Sequence, residues 1–228
     1  VSFDLALRLT EALLALALAQ QALEHMASPL RGEAALFAPR LALAAALALG
    51  VAPGWVCAAL LAHGLLVLRR FDGPYNGGSD RMTLLCLICL TGAHWAPEPA
   101  WRALSLAYLA GQLTLSYAIS GWVKIVNPDW RTGRALRDVF LFSTYPVSGN
   151  LRGFAGRPAL MRATGWAVML FEILFPLSFL HPAALAASLV VAAAFHLANA
   201  ALFGLNRFFW AWLAAYPSLL WLQARLMG

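Results

Sequence analysis

The 228 residues are 62% hydrophobic and 11% charged, where a soluble domain carries about 25% charged residues, and the mean hydropathy is +0.72. That composition speaks against a soluble globular domain. The net charge of +6 comes from fifteen arginines and one lysine scattered between apolar blocks, so it reads as topology signals and anionic-lipid contacts, not as a nucleic-acid surface.

Each apolar block is close to the roughly 20 residues that cross a bilayer core. Runs such as Leu-Ala-Leu-Ala-Ala-Ala-Leu-Ala-Leu from Leu41 to Leu49 have no polar–apolar alternation of period two. Helices are therefore expected over a barrel, since these are the two forms that satisfy the backbone in lipid. In chain order the expected spans are Leu5–Leu23, Ala34–Val51, Pro53–Leu68, Arg81–Trp95, Ala103–Val126, Ala163–Leu180, Pro182–Phe203 and Phe208–Leu226. The fold class is thus an all-α integral membrane protein, a bundle of about eight transmembrane helices forming one domain over 1–228, without internal repeat.

In the first span, Arg8 and Glu11 stand three apart on one face and can neutralise each other; no signal peptide is expected there, because no basic region precedes the apolar stretch. The third and fourth spans are short and should borrow residues from their ends. His63, alone on the third, reads as a satisfied core histidine. Cys57, Cys86 and Cys89 all lie in apolar blocks, and the CxxC of Cys86 and Cys89 has no second pair, so no disulfide framework and no metal site is expected. Between the fifth and sixth spans runs the one long connection, Asn127 to Arg162, too long for an idle turn and expected to be ordered against the bundle.

A charge inside a membrane costs about 2.5–3.5 kcal/mol on the insertion scale, so each one needs a reason. Glu172 lies near mid-span in Phe-Glu-Ile-Leu-Phe-Pro with no partner at helical spacing. It must be neutral or paired across the bundle, and it is expected to point inward. His196 and Asn199 share a face of the seventh helix, either as wall residues for a polar ligand or as interhelical glue. Lys124 is the only lysine in the chain. A desolvated lysine can shed its proton and act as a base, which arginine effectively cannot; the competing reading is a lysine snorkelling to the headgroups.

Arginine counts set the orientation. The odd-numbered loops hold Arg31 and Arg40; Arg69, Arg70 and Arg81; Arg131, Arg134, Arg137, Arg152, Arg157 and Arg162; and Arg207, while the even ones hold only Arg102. The positive-inside rule then places the odd loops in the cytoplasm and both termini outside.

Ser116-Tyr117-Ala118-Ile119-Ser120-Gly121, followed by Lys124, Asp129-Trp130, Gly133 and Leu136, resembles a segment of the vitamin K-dependent gamma-carboxylases. The same segment recurs in their bacterial relatives, the HTTM (horizontally transferred transmembrane) proteins. Phe195-His196-Leu197 with Asn199, Leu202-Phe203 and Phe208 is similar to a second family segment, and Asn76 with Ser79 to a third, less specific one. Together these cover about Asp72 to Trp221.

The resemblance implies a small, stand-alone bacterial-type member, in the bacterial inner membrane, with Lys124 as the base that deprotonates a vitamin K-like hydroquinone. Asn76, Tyr117, Trp130, Glu172, His196 and Asn199 would bind the quinone or substrate. The expected cofactor is a reduced lipid quinone, with oxygen as co-reactant, and the expected partners are the lipid bilayer, a peptide substrate and a partner protein, with no nucleic acid. Two departures bear on carboxylation. Gly77 and Gly78 stand where the animal enzymes have a histidine after paired asparagines, and their large domain after the membrane core has no counterpart within these residues. The animal enzymes also work on the lumenal side, opposite to the side the arginine count assigns to the Lys124 loop. The alternative reading is a non-catalytic HTTM protein that binds, matures or confers immunity to an exported peptide. A transporter is disfavoured, since no inverted repeat or pair of broken helices is evident.

Overall fold

Proline starts most of the helices. It fits the first turn, where its missing N–H would be unpaired in any case and its fixed φ is already helical. The computed structural model describes residues 1–28, 32–70, 78–143 and 146–227. Within them the order is α1 (Phe3–Met26), α2 (Glu33–Leu49), α3 (Pro53–Arg70), α4 (Gly78–Trp95), α5 (Pro99–Val126), α6 (Pro128–Thr132), α7 (Arg134–Phe142), α8 (Pro146–Leu151), a 3₁₀ turn Arg152–Gly156, α9 (Pro158–Leu174), a 3₁₀ turn Phe175–Leu180, α10 (Pro182–Phe203) and α11 (Asn206–Met227). Among the described residues every regular element is helical. Each of the eight segments expected from the sequence falls on one of the longer helices.

The boundaries differ from the expected ones for local reasons. α3 runs on through Arg69 and Arg70, and α4 starts at Gly78, so both short spans do gain residues at their ends. The sixth span begins earlier, at Pro158, and loses α geometry after Leu174. Pro176 cannot donate to the carbonyl four residues back, so the last turn tightens to 3₁₀. The Asn127–Arg162 connection is not a loop but three short helices and a 3₁₀ turn. Two helical stretches, Pro158–Leu180 and Pro182–Phe203, are long and apolar enough to cross a membrane, with mean hydropathies of 1.7 and 1.8. Elsewhere α2 has 17 residues, α4 opens with Asp80 and Arg81, and α5 intersperses Gln112, Ser116 and Ser120 among its apolar residues.

The chain divides into two compact units, Val1–Gly111 with Arg207–Gly228, and Gln112–Asn206. In the first, α1 packs along α2 and against α4, and α3 packs on α2 and α4. One face of α1 carries Leu7, Glu11, Leu14, Leu18, Gln21 and His25 inward, while Leu5, Leu9, Leu16 and Leu23 stand exposed. Glu11 is 2% exposed and Leu16 is 49%. This is the reverse of a soluble amphipathic helix, and it suits a helix whose outer face meets acyl chains.

Most inward polar groups of this unit find partners, although Thr10 Oγ1 and Arg40 Nε have none among the described residues. Arg8 donates to Glu11 Oε2 at 2.9 Å, to the Leu47 carbonyl at 2.7 Å and to the Ala48 carbonyl, closing the C-terminal end of α2. The other oxygen of Glu11 meets His94 Nε2 at 2.5 Å, so the Arg8–Glu11 pair is a three-member cluster and not a self-contained one. His63 is not isolated either: its Nε2 donates to the Leu36 carbonyl at 2.8 Å and its Nδ1 accepts from Arg40 at 3.4 Å. At the Met26 end of α1, Arg207 donates to Glu24 at 3.0 Å and to His25 Nε2 at 3.0 Å. Because arginine only donates, His25 holds its proton on Nδ1, where Glu33 accepts it at 3.0 Å.

Candidate functional site

In the second unit, Tyr117, Gly121 and Lys124 lie at i, i+4 and i+7 on α5 and so share one face. Gly121 is the point of closest approach between α5 and α9. A Cβ there would sit 2.5 Å from the backbone nitrogen of Ile173 and 3.1 Å from the carbonyl carbon of Glu172. Only a residue without a side chain lets the two backbones come together here. One turn further on, Lys124 Nζ reaches both carboxylate oxygens of Glu172, at 2.8 and 2.6 Å. Glu172 is 3% exposed, whereas Leu174 on the same helix is 52% exposed, so the carboxyl points inward and finds its partner on another helix.

Two turns back along α5, about 10 Å at 1.5 Å per residue, Tyr117 Oη and His196 Nε2 of α10 are hydrogen-bonded at 2.9 Å. Both side chains are buried. Tyr117 stacks on Phe175 at 4.3 Å and meets Phe171 edge-on at 6.1 Å. The apolar wall beside Tyr117 is thus made by two rings four residues apart, one on α9 and one at the start of the 3₁₀ turn that follows it.

The segment after Lys124 is folded so that Trp130 returns to the lysine. Asn127 caps α6, its side-chain oxygen accepting from Asp129 N at 2.9 Å, and Pro128 occupies the first turn. Trp130 then places its ring centroid 5.3 Å from Lys124 Nζ, within cation–π reach. Gly133 turns the chain into α7 with φ of +80°, and a Cβ there would lie 2.7 Å from the Arg162 backbone nitrogen. Position 133 therefore needs glycine twice over, for its left-handed backbone and for the close approach to α9. Trp166 Nε1 donates to the Arg131 carbonyl at 3.2 Å and completes the docking of α6 on α9.

Of the residues singled out in the sequence, Lys124, Glu172 and Trp130 come together, and Tyr117 and His196 pair beside the same aromatic wall. Asn199 is not brought to them: its side-chain nitrogen donates to the Phe195 carbonyl of its own helix at 3.0 Å. Asn76 lies outside the described residues. Phe171 and Phe175 join the site without belonging to either family segment, and their spacing of four around Glu172 is the signal in the sequence that marks them. The partner of Glu172, on another helix, has no such signal. The cysteines are buried free thiols, and no cluster of three or more metal-capable side chains occurs among the described residues.

Tyr117, Gly121, Lys124, Trp130, Gly133 and His196 fall on the two sequence segments, with Glu172 between them, and the comparison with family models agrees: the HTTM domain matches residues 93–223, more than half of the chain. The chain belongs to the HTTM family. No curated protein and no solved structure matches it. The HTTM match spans both polar pairs of this site, Lys124–Glu172 and Tyr117–His196. Membership in the HTTM family and the two strongly apolar helices together point to a membrane protein.

Proposed function

We propose that this HTTM protein is a membrane-embedded, carboxylase-like enzyme that uses a lipid quinol and oxygen and acts on a small peptide, with a partner protein helping to hold that substrate. In this reading the eight long helices are transmembrane, the protein sits in the bacterial inner membrane, and both termini lie outside. The observation that carries it is the Lys124–Glu172 pair, with Nζ 2.8 and 2.6 Å from the two carboxylate oxygens, whose lysine lies inside the segment that resembles the carboxylases.

The residues present fit a quinol head group in chemistry. Two polar pairs can give or accept hydrogen bonds there, Lys124–Glu172 beside the Trp130 ring and Tyr117–His196 beside Phe171 and Phe175. A bound hydroquinone would supply the reducing equivalents for oxygen. The protein's part is proton handling and orientation. Passing a proton from Nζ to Glu172 converts the ion pair into an amine and a carboxylic acid, a neutral arrangement compatible with apolar surroundings. The amine is then free to take a proton from an acidic hydroxyl presented to it, while Trp130 covers the lysine from the side of α6. Tyr117 and His196, held against each other, orient a polar group arriving along α5.

The test is oxygen uptake by the purified protein supplied with a menaquinol-type quinol. Lys124→Arg keeps a cation beside Glu172 but removes a proton that can be released, so uptake should be abolished with the fold intact. Lys124→Ala should regain part of it with added small amines. Wild-type uptake in both variants overturns the catalytic reading.

A second reading has its own support. Lys124–Glu172 and Tyr117–His196 each satisfy their own hydrogen-bonding demand, as interhelical glue does. A non-catalytic HTTM protein that binds, matures or confers immunity to an exported peptide needs nothing more from them. In that case no quinol-dependent uptake appears in the wild type either.

A further inference from the structure

The chain between the lysine-bearing and glutamate-bearing helices forms a surface that the proposed chemistry does not use. From Asn127 to Arg162 it holds Arg131, Arg134, Arg137, Arg152, Arg157 and Arg162, against Asp129 and Asp138 only. Arg134 pairs with Asp129, and Arg137 with Asp138. Arg131, Arg157 and Arg162 are exposed and have no acidic partner among the described residues. Arg152 donates to the Ser143 carbonyl at 2.8 Å and ties down the end of α7.

α7 has three faces. Leu136 and Phe140 turn inward onto Ala155 and Met161. Arg134, Arg137 and Asp138 form a charged face. Ala135, Val139 and Phe142, at i, i+4 and i+7, make an apolar stripe that meets no core: Val139 is 41% and Phe142 76% exposed. Phe154, on the neighbouring 3₁₀ turn, is also exposed, with the Arg157 guanidinium 5.4 Å above its ring. The segment joins the end of α5 to the start of α9, the latter opening one of the two strongly apolar helical stretches; with both helices transmembrane, as proposed above, it is confined to one face of the membrane. An outward apolar stripe flanked by unpaired cations is the arrangement of a helix lying in the headgroup layer.

From this juxtaposition we infer that α7 and the following 3₁₀ turn form an interfacial site for anionic phospholipid, with Val139, Phe142 and Phe154 among the upper acyl carbons and Arg131, Arg157 and Arg162 on the phosphates. The occupant is a lipid rather than an acidic peptide, because Val139, Phe142 and Phe154, exposed among these arginines, are apolar, and the segment leads into the apolar stretch Pro158–Leu180. The inference rests on the membrane reading but not on the quinol chemistry.

The full-length protein in mild detergent, titrated separately with phosphatidylglycerol and with phosphatidylcholine of the same chains, gives the number of lipids retained by native mass spectrometry. The wild type should retain phosphatidylglycerol in preference. At the strength of each basic residue near an anionic surface, the loss of two in Arg131→Gln/Arg157→Gln should lower that preference roughly thirtyfold. Arg69→Gln/Arg225→Gln, which removes the same charge elsewhere, should leave it unchanged. Equal loss in both double variants, or no preference in the wild type, overturns the site. A nitroxide on Phe142→Cys gives an independent reading in vesicles of phosphatidylcholine and phosphatidylglycerol, since the native cysteines are buried. Higher accessibility to oxygen than to a water-soluble nickel chelate supports the proposal. The reverse overturns it, as does a poly-glutamate peptide that displaces no lipid yet binds with the same arginine dependence.

Discussion

At the scale of single residues, the lysine–glutamate pair and the glycine beside it depend on each other. The side chains of Lys124 and Glu172 are 19% and 4% exposed, so removing one partner leaves the other charged and poorly solvated. Lys124→Met should lower stability by about 3 kcal/mol, while Lys124→Met/Glu172→Leu should restore most of it, as is common for buried pairs. Thermal unfolding of the four proteins of the cycle in one detergent checks this; equal losses in the single and double variants would mean that the pair is effectively solvated. Gly121→Ala should cost about 1–3 kcal/mol by overpacking, because the new methyl would meet the Ile173 backbone, which cannot rotate away. An unchanged melting temperature in that variant would show that α5 and α9 are not in backbone contact at this point.

At the scale of elements, the stretch after α5 shows what pattern reading can and cannot reach. Asn127-Pro128-Asp129-Trp130 announces a helix start, and Gly133 announces its end. That the following residues form α7, and that α6 and α7 both dock on α9, could not be read from spacing, because each docking contact joins residues some 30 positions apart, such as Arg131 and Trp166. Gly133→Ala should disturb this whole segment. The left-handed backbone alone costs about 1–2 kcal/mol, and the methyl would also strike the backbone of Arg162. Limited proteolysis should then cut between 133 and 157 in the variant and spare the wild type under the same conditions; identical patterns would refute the docking. The long helices were legible element by element, since blocks of apolar residues bounded by proline and glycine need no tertiary information. Their ends were less so: Pro176 tightens the end of the sixth span, and Arg69 and Arg70 prolong the third.

At the scale of the whole molecule, the excess of arginine in the odd loops makes a definite statement about orientation. Cysteines placed at Arg134 and Arg157, both exposed in the structure, should resist a membrane-impermeant thiol reagent in intact cells and react after the membrane is opened. Ready labelling in intact cells would place the Asn127–Arg162 segment outside and align it with the lumenal side used by the animal carboxylases. The sequence by itself determined the helical class, the positions of the long apolar segments and, through Ser116–Gly121, Lys124 and Trp130, the family, because these depend on composition and on short-range spacing. Only the tertiary structure decided that Glu172 is the partner of Lys124, that Tyr117 meets His196, that Asn199 turns back on its own helix, and that Gly121 brings α5 and α9 together. Those outcomes rest on how helix faces are rotated against one another, and a helix of apolar residues on every side carries little periodic signal of which face turns inward.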